Sequence, residues 1–372
     1  MTRDCTSVVR AVSLAVALLA IAALPTRAQD PQPAATPEPA ASPAAPAKVQ
    51  VTGFVDTYYE YNFNKVDPSL RVFDIQHNTF SLSLAEVAFT KAPTTDSRVG
   101  FRADLDFGKT ADIVASFEPA SDGKEIYEHV QQAYLSLLTG KVQWDAGKFV
   151  SPLGAEVIES QDNWNYTRSV LFGYAIPYYH VGLRATYNAT PKVAVGALLV
   201  NGWNNSSEIN GNKTVALSLT LKPNDKLNWV GNYMVGKETP GSDKNRNLFD
   251  TTLTYNATPK LSLMGNLDYG QEGDTKWWGL AAYAKYQACP SWAIVGRYEY
   301  LDDTKGGFMT FGTTAQEITV TSDHTIAGAL KARLEYRTDF GAEPIFPSDS
   351  GTKKKTQTTL AVGLVYSFGG AF

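Results

Sequence analysis

The chain has 372 residues, of which 19 % are charged and 12 % aromatic, with a formal net charge of −4 and two cysteines. No basic stripe supports nucleic-acid binding, and beyond position 49 no apolar run approaches the roughly 20 residues that a membrane-spanning helix needs. Cys5 falls in a segment read below as cleaved, which leaves Cys289 alone and no intrachain disulfide to brace the fold.

At the N-terminus, Arg3 and Arg10 precede the apolar run AVSLAVALLAIAAL (11–24), and Pro25, Thr26 and Ala28 follow it. Charged, apolar and small residues in that order predict a secretory signal peptide over 1–28. Cys5 lies before the apolar run, on the wrong side for lipidation after cleavage. Removal of this leader takes away three arginines and one aspartate and moves the formal charge from −4 to −6. Residues 29–48 are almost entirely Pro, Ala and small polar residues, which cannot bury a core. They read as a periplasmic linker.

From 49 to 372, segments of 9–13 residues alternate apolar and polar side chains, as strands with two unlike faces must. In SRVGFRADLDF (97–107), Val99, Phe101, Ala103, Leu105 and Phe107 oppose Arg98, Arg102, Asp104 and Asp106; in ALKARLEYRTDF (329–340), Lys331, Arg333, Glu335 and Arg337 oppose Ala332, Leu334, Tyr336 and Phe340. Such segments predict strands near 49–63, 78–91, 97–107, 126–138, 142–149, 178–188, 192–203 and 212–222. They continue near 226–237, 247–257, 259–270, 275–287, 290–302, 313–325, 330–340 and 356–368. The reading is all-β: an antiparallel up-and-down transmembrane barrel of about 16 strands, wide enough to leave an aqueous lumen.

The connections support it, because short turns such as TGK (139–141), the repeated NATPK (188–192 and 256–260) and KPNDK (222–226) alternate with long segments at 64–77, 108–125, 150–177, 302–312 and 341–355. Tyr58, Tyr59, Trp203, Trp229, Tyr255, Tyr269, Tyr298 and Tyr300, near strand ends, suit interfacial aromatic girdles. Strand charges facing lipid would each cost about 2–4 kcal/mol at the midplane. Arg98, Arg102, Arg184, Arg297, Lys331, Arg333 and Arg337 are therefore expected to line the lumen, with Asp104, Asp106, Glu299 and Glu335 as partners for many of them. In FSLSLAEVAF, Glu86 has the parity of Phe80, Leu82 and Leu84, and a β-bulge is needed to re-aim it inward. The last strand presents Leu360, Val362, Leu364, Tyr366 and Phe368 on one face, a terminal aromatic strand of the kind that engages the barrel assembly machinery, with GGAF following it.

On the opening VTGFVDTYYEYNF, on QQAYLSLLTGKVQWDAGKF with GAEVIES and NYTRS, on IPYYHVGLRATYN and on LEYRTDF before LAVGLVYSF, the sequence resembles the OmpL-like outer-membrane β-barrel porins over roughly 49–372. The resemblance implies an outer-membrane channel for passive diffusion of small hydrophilic solutes and ions, as a monomer or a homotrimer, with outer-membrane lipids as surroundings. It also implies that the longest connection, 150–177, the third external loop by strand order, folds into the lumen and narrows the pore. Glu156, Glu159 and Asp162 would then supply acid at the constriction, with Arg168 a basic neighbour or salt-bridge partner, because charges beside a narrow aqueous path select by sign.

Two alternatives stand beside this reading, an enzymatic outer-membrane barrel and a soluble secreted β-rich adhesin or binding module. His77, His129, His180 and His324 are scattered and lie in no nucleophile or metal motif, so no catalytic residue, metal or cofactor is expected. The soluble alternative leaves the alternating charges unexplained.

Overall fold

The computed structural model describes residues 48–118, 127–305 and 312–371. The leader read at 1–28 and the linker read at 29–48, apart from Lys48, lie outside these residues, as does Phe372. The barrel strands are β1 (Gln50–Asn62), β2 (Thr79–Lys91), β3 (Val99–Phe107), β4 (Val130–Thr139), β5 (Val142–Val150), β6 (Tyr179–Thr190), β7 (Val193–Val200) and β8 (Thr214–Asn224). They continue with β9 (Leu227–Gly236), β10 (Arg246–Asn256), β11 (Leu261–Glu272), β12 (Thr275–Cys289), β13 (Trp292–Asp302), β14 (Thr314–Ala327), β15 (Leu330–Gly341) and β18 (Thr356–Ala371). The two-residue strands β16 (Phe346–Pro347) and β17 (Lys353–Lys354) form a separate hairpin in the last long connection.

The sixteen long strands pair antiparallel with their sequence neighbours, and β1 closes the barrel on β18 from Gln50↔Ala371 to Asn62↔Thr359. Closure gives every strand a partner on both sides, which lets a sheet exist in hydrocarbon without an unsatisfied edge. No helix among the described residues is long and apolar enough to cross a membrane. The GGA after Phe368 continues β18 opposite Gln50–Thr52. Phe368 faces outward and covers Gly53, where a Cβ would lie 2.5 Å from the phenyl ring.

Alternation decides which side of the wall each residue takes. Val99, Leu135, Leu217, Leu253, Ile318 and Val362 are exposed on the outside, while Asp104, Asp250, Glu299, Glu317 and Arg337 are buried within. That is the partition expected of a wall between hydrocarbon and a polar interior. The bulge needed at Glu86 is present: the β1–β2 register passes from Asp56↔Leu84 to Thr57↔Leu82, so Ser83 is the extra residue and parity switches there. Phe80 and Leu82 are exposed, whereas Glu86 is buried on the lumen side. Tyr255, Tyr269 and Tyr298 face outward as expected of girdles, but Tyr58 and Trp203 are buried. Tyr58 shares the inward parity of Asp56 and Glu60, and its hydroxyl donates to the Phe73 carbonyl at 3.3 Å.

The long connections carry the remaining structure. Helix α1 (Lys109–Ala115) lies in the second of them and helix α2 (Val170–Tyr174) in the third. The first, 63–78, turns inward: the Arg71 guanidinium is fully buried, 2.7 Å from Asp339, and Phe73 packs against Phe172 and Tyr178 with ring centroids 6.1 Å away in each case. The buried apolar cluster of this protein therefore sits inside the barrel, between inward-folded loops and the wall, and includes Phe54, Phe73, Ile158, Leu171 and Tyr178.

Candidate functional site: the lumen and its inward-folded loop

An irregular segment inside a barrel must find partners for its backbone N–H and C=O groups, since strand neighbours cannot supply them. Residues 151–178, between β5 and β6, obtain these partners from charged side chains of β13–β15. Glu335 accepts hydrogen bonds from the backbone N–H of Tyr166 (2.6 Å) and Thr167 (3.0 Å), and Glu299 accepts from Val170 (2.7 Å) and Leu171 at the start of α2. The opposite polarity comes from three arginines. Arg297 donates to the Thr167 carbonyl (2.7 Å), Arg337 to that of Arg168 (2.6 Å), and Arg333 to those of Ser160, Asn163 (2.9 Å) and Asn165 (3.3 Å). Ser169 caps α2, its hydroxyl accepting from Phe172 N–H at 2.9 Å.

The loop reaches right across the lumen. Two strands farther round from β15, Asp56 of β1 accepts from Ser160 Oγ (2.6 Å) and from the Tyr166 hydroxyl (2.8 Å). Two wall glycines make room for it: a Cβ at Gly363 would stand 2.5 Å from the Tyr166 ring, and one at Gly279 would stand 2.6 Å from Leu171 Cδ1. Gly363→Val should therefore push Tyr166 off Asp56 and destabilise the folded protein by about 1–3 kcal/mol. An unchanged urea midpoint for unfolding in lipid vesicles would show that the Tyr166 contact is dispensable.

The residues expected at the constriction separate into two groups. Glu156 is buried, 2.7 Å from Arg297, and it also accepts from Ser169 N–H at 2.6 Å. Arg168 is buried too; it donates to the Tyr166 carbonyl at 2.6 Å and lies over the Phe73 ring at 5.0 Å. Both hold the loop in shape and neither borders open space. Glu159 and Asp162, by contrast, border a recess of about 480 Å³ between the loop and the β1–β6 wall, shared with Glu86, Arg102, Tyr134 and Arg184. Burial pushes the Glu159 carboxyl up to about 7, and the neighbouring Asp162 adds to the shift. Burial also raises the Asp162 carboxyl.

The strand charges expected to line the pore all lie on the inner side, with the exception of Arg98, which is exposed in the turn before β3. Arg102 pairs with Asp104 as expected (2.8 Å). The remaining pairs differ from those expected: Arg184 engages Asp145 (2.8 Å), Arg297 engages Glu156 and Glu317 (2.5 Å), Arg333 engages Asp323 (3.2 Å) and Arg337 engages Asp339 (2.8 Å). Asp106 stands opposite Glu86 in the β2–β3 register. Glu299 and Glu335 are occupied by loop backbone, and Lys331 lies at the inner end of β15, one alternate position from Arg333. Sequence reasoning missed Asp56, Tyr166 and the Arg71–Asp339 contact.

Two serine–histidine contacts exist, Ser151 Oγ to His180 Nε2 (3.2 Å) and Ser322 Oγ to His324 Nε2 (2.8 Å). His180 is fully buried, and its other ring nitrogen faces the Gly202 carbonyl at 2.9 Å instead of a carboxylate. The acid–base–nucleophile geometry of a hydrolase is not assembled at that pair.

Residues 48–368 match the family model described as "Putative beta-barrel porin-2, OmpL-like". No curated protein matches the chain. Among solved structures, the anion-selective porin from Comamonas acidovorans aligns with a TM-score of 0.62 and 13 % identity, covering 86 % of this chain and 99 % of its own. Salmonella typhi OmpF, solved in complex with daunomycin, gives 0.60 and 13 %, covering 87 % and 98 %. The outer membrane channel DcaP of Acinetobacter baumannii gives 0.59 and 12 %, covering 86 % and 97 %. At these identities the likeness is one of fold.

Proposed function

The chain belongs to the OmpL-like family of β-barrel porins, an outer-membrane channel family, and from that premise we propose a passive channel for small hydrophilic solutes whose narrowest part is the recess beside loop 150–177. The observation that carries this reading is the division of the lumen. Against β13–β15 the loop is sealed by buried arginines and carboxylates, so water and solute have no path there. Against β1–β6 a recess of about 480 Å³ remains, and it is bordered by Glu159 and Asp162 from the loop and by Glu86 and Arg102 from the wall.

The sign of this aperture follows from its pairing. Arg102 and Arg184 are each neutralised by a wall aspartate, Asp104 and Asp145, whereas Glu86, Glu159 and Asp162 have no ion pair among the described residues. Fixed charge beside a narrow path between low-dielectric walls is felt strongly by a passing ion. The aperture therefore favours cations, and in this it differs from what the name of the Comamonas protein says of that porin. Export by a cleaved leader over 1–28, followed by a periplasmic linker, belongs to the same proposal.

Single-channel recording of refolded protein in a planar bilayer tests it. Discrete conductance steps with a cation-positive reversal potential under a KCl gradient are expected, and the double variant Glu159→Gln, Asp162→Asn should reduce that preference. A folded, heat-modifiable barrel that passes no current would defeat the channel reading.

A further inference from the structure

Charge in this barrel is segregated along its axis as well as around its wall. At the end bearing the long loops, several lysines have acidic neighbours, Lys65 with Asp349 (3.8 Å), Lys109 with Asp112 (3.4 Å), Lys237 with Asp243 (3.2 Å) and Lys244 with Asp274 (4.0 Å), while Lys354 and Lys355 of the last loop donate to Asn64 and to the Ala342 carbonyl. At the opposite end, where the short turns and the start of β1 lie, the pattern changes. Lys141, Lys192, Lys226 and Lys260 occupy successive turns from β4–β5 to β10–β11, Lys222 lies beside them near the end of β8, and none has a carboxylate within ion-pair distance among the described residues. Lys141 Nζ donates to the Ala189 carbonyl, at 3.2 Å.

These lysines frame two adjoining recesses. The larger, about 680 Å³, is bordered by Leu138, Lys141, Asn188, Lys192, Ala194 and Lys222. The smaller, about 470 Å³, shares Lys192 and Lys222 and adds Lys226, Asn228, Asn256 and the single acid Asp225. Their floor belongs to the lumen. Ala194 has the parity of buried Leu198 in β7, and Thr220 and Lys222 have that of buried Ala216 in β8. Farther round the inner wall, Lys285 and Lys331 also point into the barrel, while Asp323 there is held by Arg333.

From this arrangement we infer that the periplasmic mouth is an anion-collecting vestibule for small solutes carrying phosphate or clustered carboxylates, placed in series with the acidic aperture. The inference rests on the channel reading for its functional meaning and on the lysine arc for its chemistry. Opposite fixed charges in series make ion flow asymmetric. A potential positive on the outer side drives cations through the acidic zone and anions through the basic zone toward each other, filling the junction with carriers. The reverse potential empties it. Current is therefore larger when the outer side is positive, and the asymmetry fades as salt shortens the screening length from about 10 Å at 0.1 M to about 3 Å at 1 M.

The test uses the full chain, refolded, and tripolyphosphate as the probe. The fourfold variant K141Q/K192Q/K222Q/K226Q alters exposed side chains at the turns and at the end of β8 and leaves the backbone ladder its donors and acceptors, and heat-modifiable mobility verifies its fold. Calorimetry in detergent should show tripolyphosphate binding to the wild type and about tenfold weaker binding to the variant at low salt. In bilayers of neutral lipid, tripolyphosphate should block the wild type from one side only, and the variant should lose both block and rectification. Equal binding by the two proteins, or symmetric block with a linear current–voltage curve, overturns the inference. Binding without conductance leaves the anion site standing and removes the channel reading; conductance without binding does the opposite. Loss of the block when the facing leaflet is made anionic would assign the lysines to lipid headgroups and overturn the assignment to free solutes.

Discussion

Arg333→Met should release the inward loop and raise single-channel conductance while leaving the barrel closed. Arg333 stands on the inner side of β15, its side chain 2 % exposed, and donates to three loop carbonyls, those of Ser160, Asn163 and Asn165, while holding Asp323 at 3.2 Å. Methionine has similar length and no donor. The substitution strands three carbonyls and one carboxylate in a water-poor interior, and breaking such a buried charged contact from one side costs about 3–5 kcal/mol. Loop docking absorbs that cost, because the backbone ladder from Leu330↔Tyr366 to Phe340↔Thr356 does not involve the side chain. With residues 160–165 undocked, the lumen opens on the β13–β15 side as well. Larger and noisier conductance steps, with unchanged heat-modifiable mobility, are the expected result. Unchanged steps would mean that the loop stays in place without Arg333 or that it does not limit the path.

How far the sequence could be read follows from periodicity. Along the strands each residue's side of the wall is fixed by parity, and even the break at Glu86 was legible, since a carboxylate with the parity of Phe80 and Leu82 demands the extra residue found at Ser83. Tyr58 was legible by the same rule, because Asp56 and Glu60 flank it at alternate positions, and its assignment to a girdle ignored that rule. Loop residues have no such rule. Glu156, Glu159, Asp162 and Arg168 look alike in sequence, yet two are buried in the loop's own framework and two border open space. The choice depends on where arginines of β13 and β15 stand, more than a hundred residues away in the chain. Partners of lumen charges failed for a related reason. Arg297 and Arg337 were expected to meet strand carboxylates, and they do, but Glu299 and Glu335 were drawn away by backbone N–H groups of a loop whose path no pattern reveals. The first external loop offered one signal, the adjacent Val72 and Phe73, an apolar pair ill suited to a segment left in water.

Glu159→Gln should flatten the pH dependence of the channel's ion preference around neutrality, where the wild type changes. Glu159 sits on the loop beside Asp162, facing Glu86, Asp104, Asp106 and Arg102 of the wall, and burial lifts its carboxyl from 4.5 to about 7. Below that value the group is neutral in the docked loop, and above it the aperture gains a negative charge. Cation preference should therefore rise as pH increases through 7. The stability sign runs the other way. A carboxyl whose folded value is raised binds its proton more tightly when folded, so docking is most favourable below about 4.5 and weakens progressively up to about 7. The shift corresponds to about 3 kcal/mol between the two limits. Glutamine keeps the shape and never ionises. The variant should thus show low cation preference on both sides of pH 7 together with a loop that stays docked at alkaline pH. Reversal potentials in a KCl gradient measure the first, and protection of residues 151–178 from proteolysis measures the second. A wild-type preference that is flat across neutrality would place Glu159 off the conducting path and leave Asp162 to set the sign of the aperture.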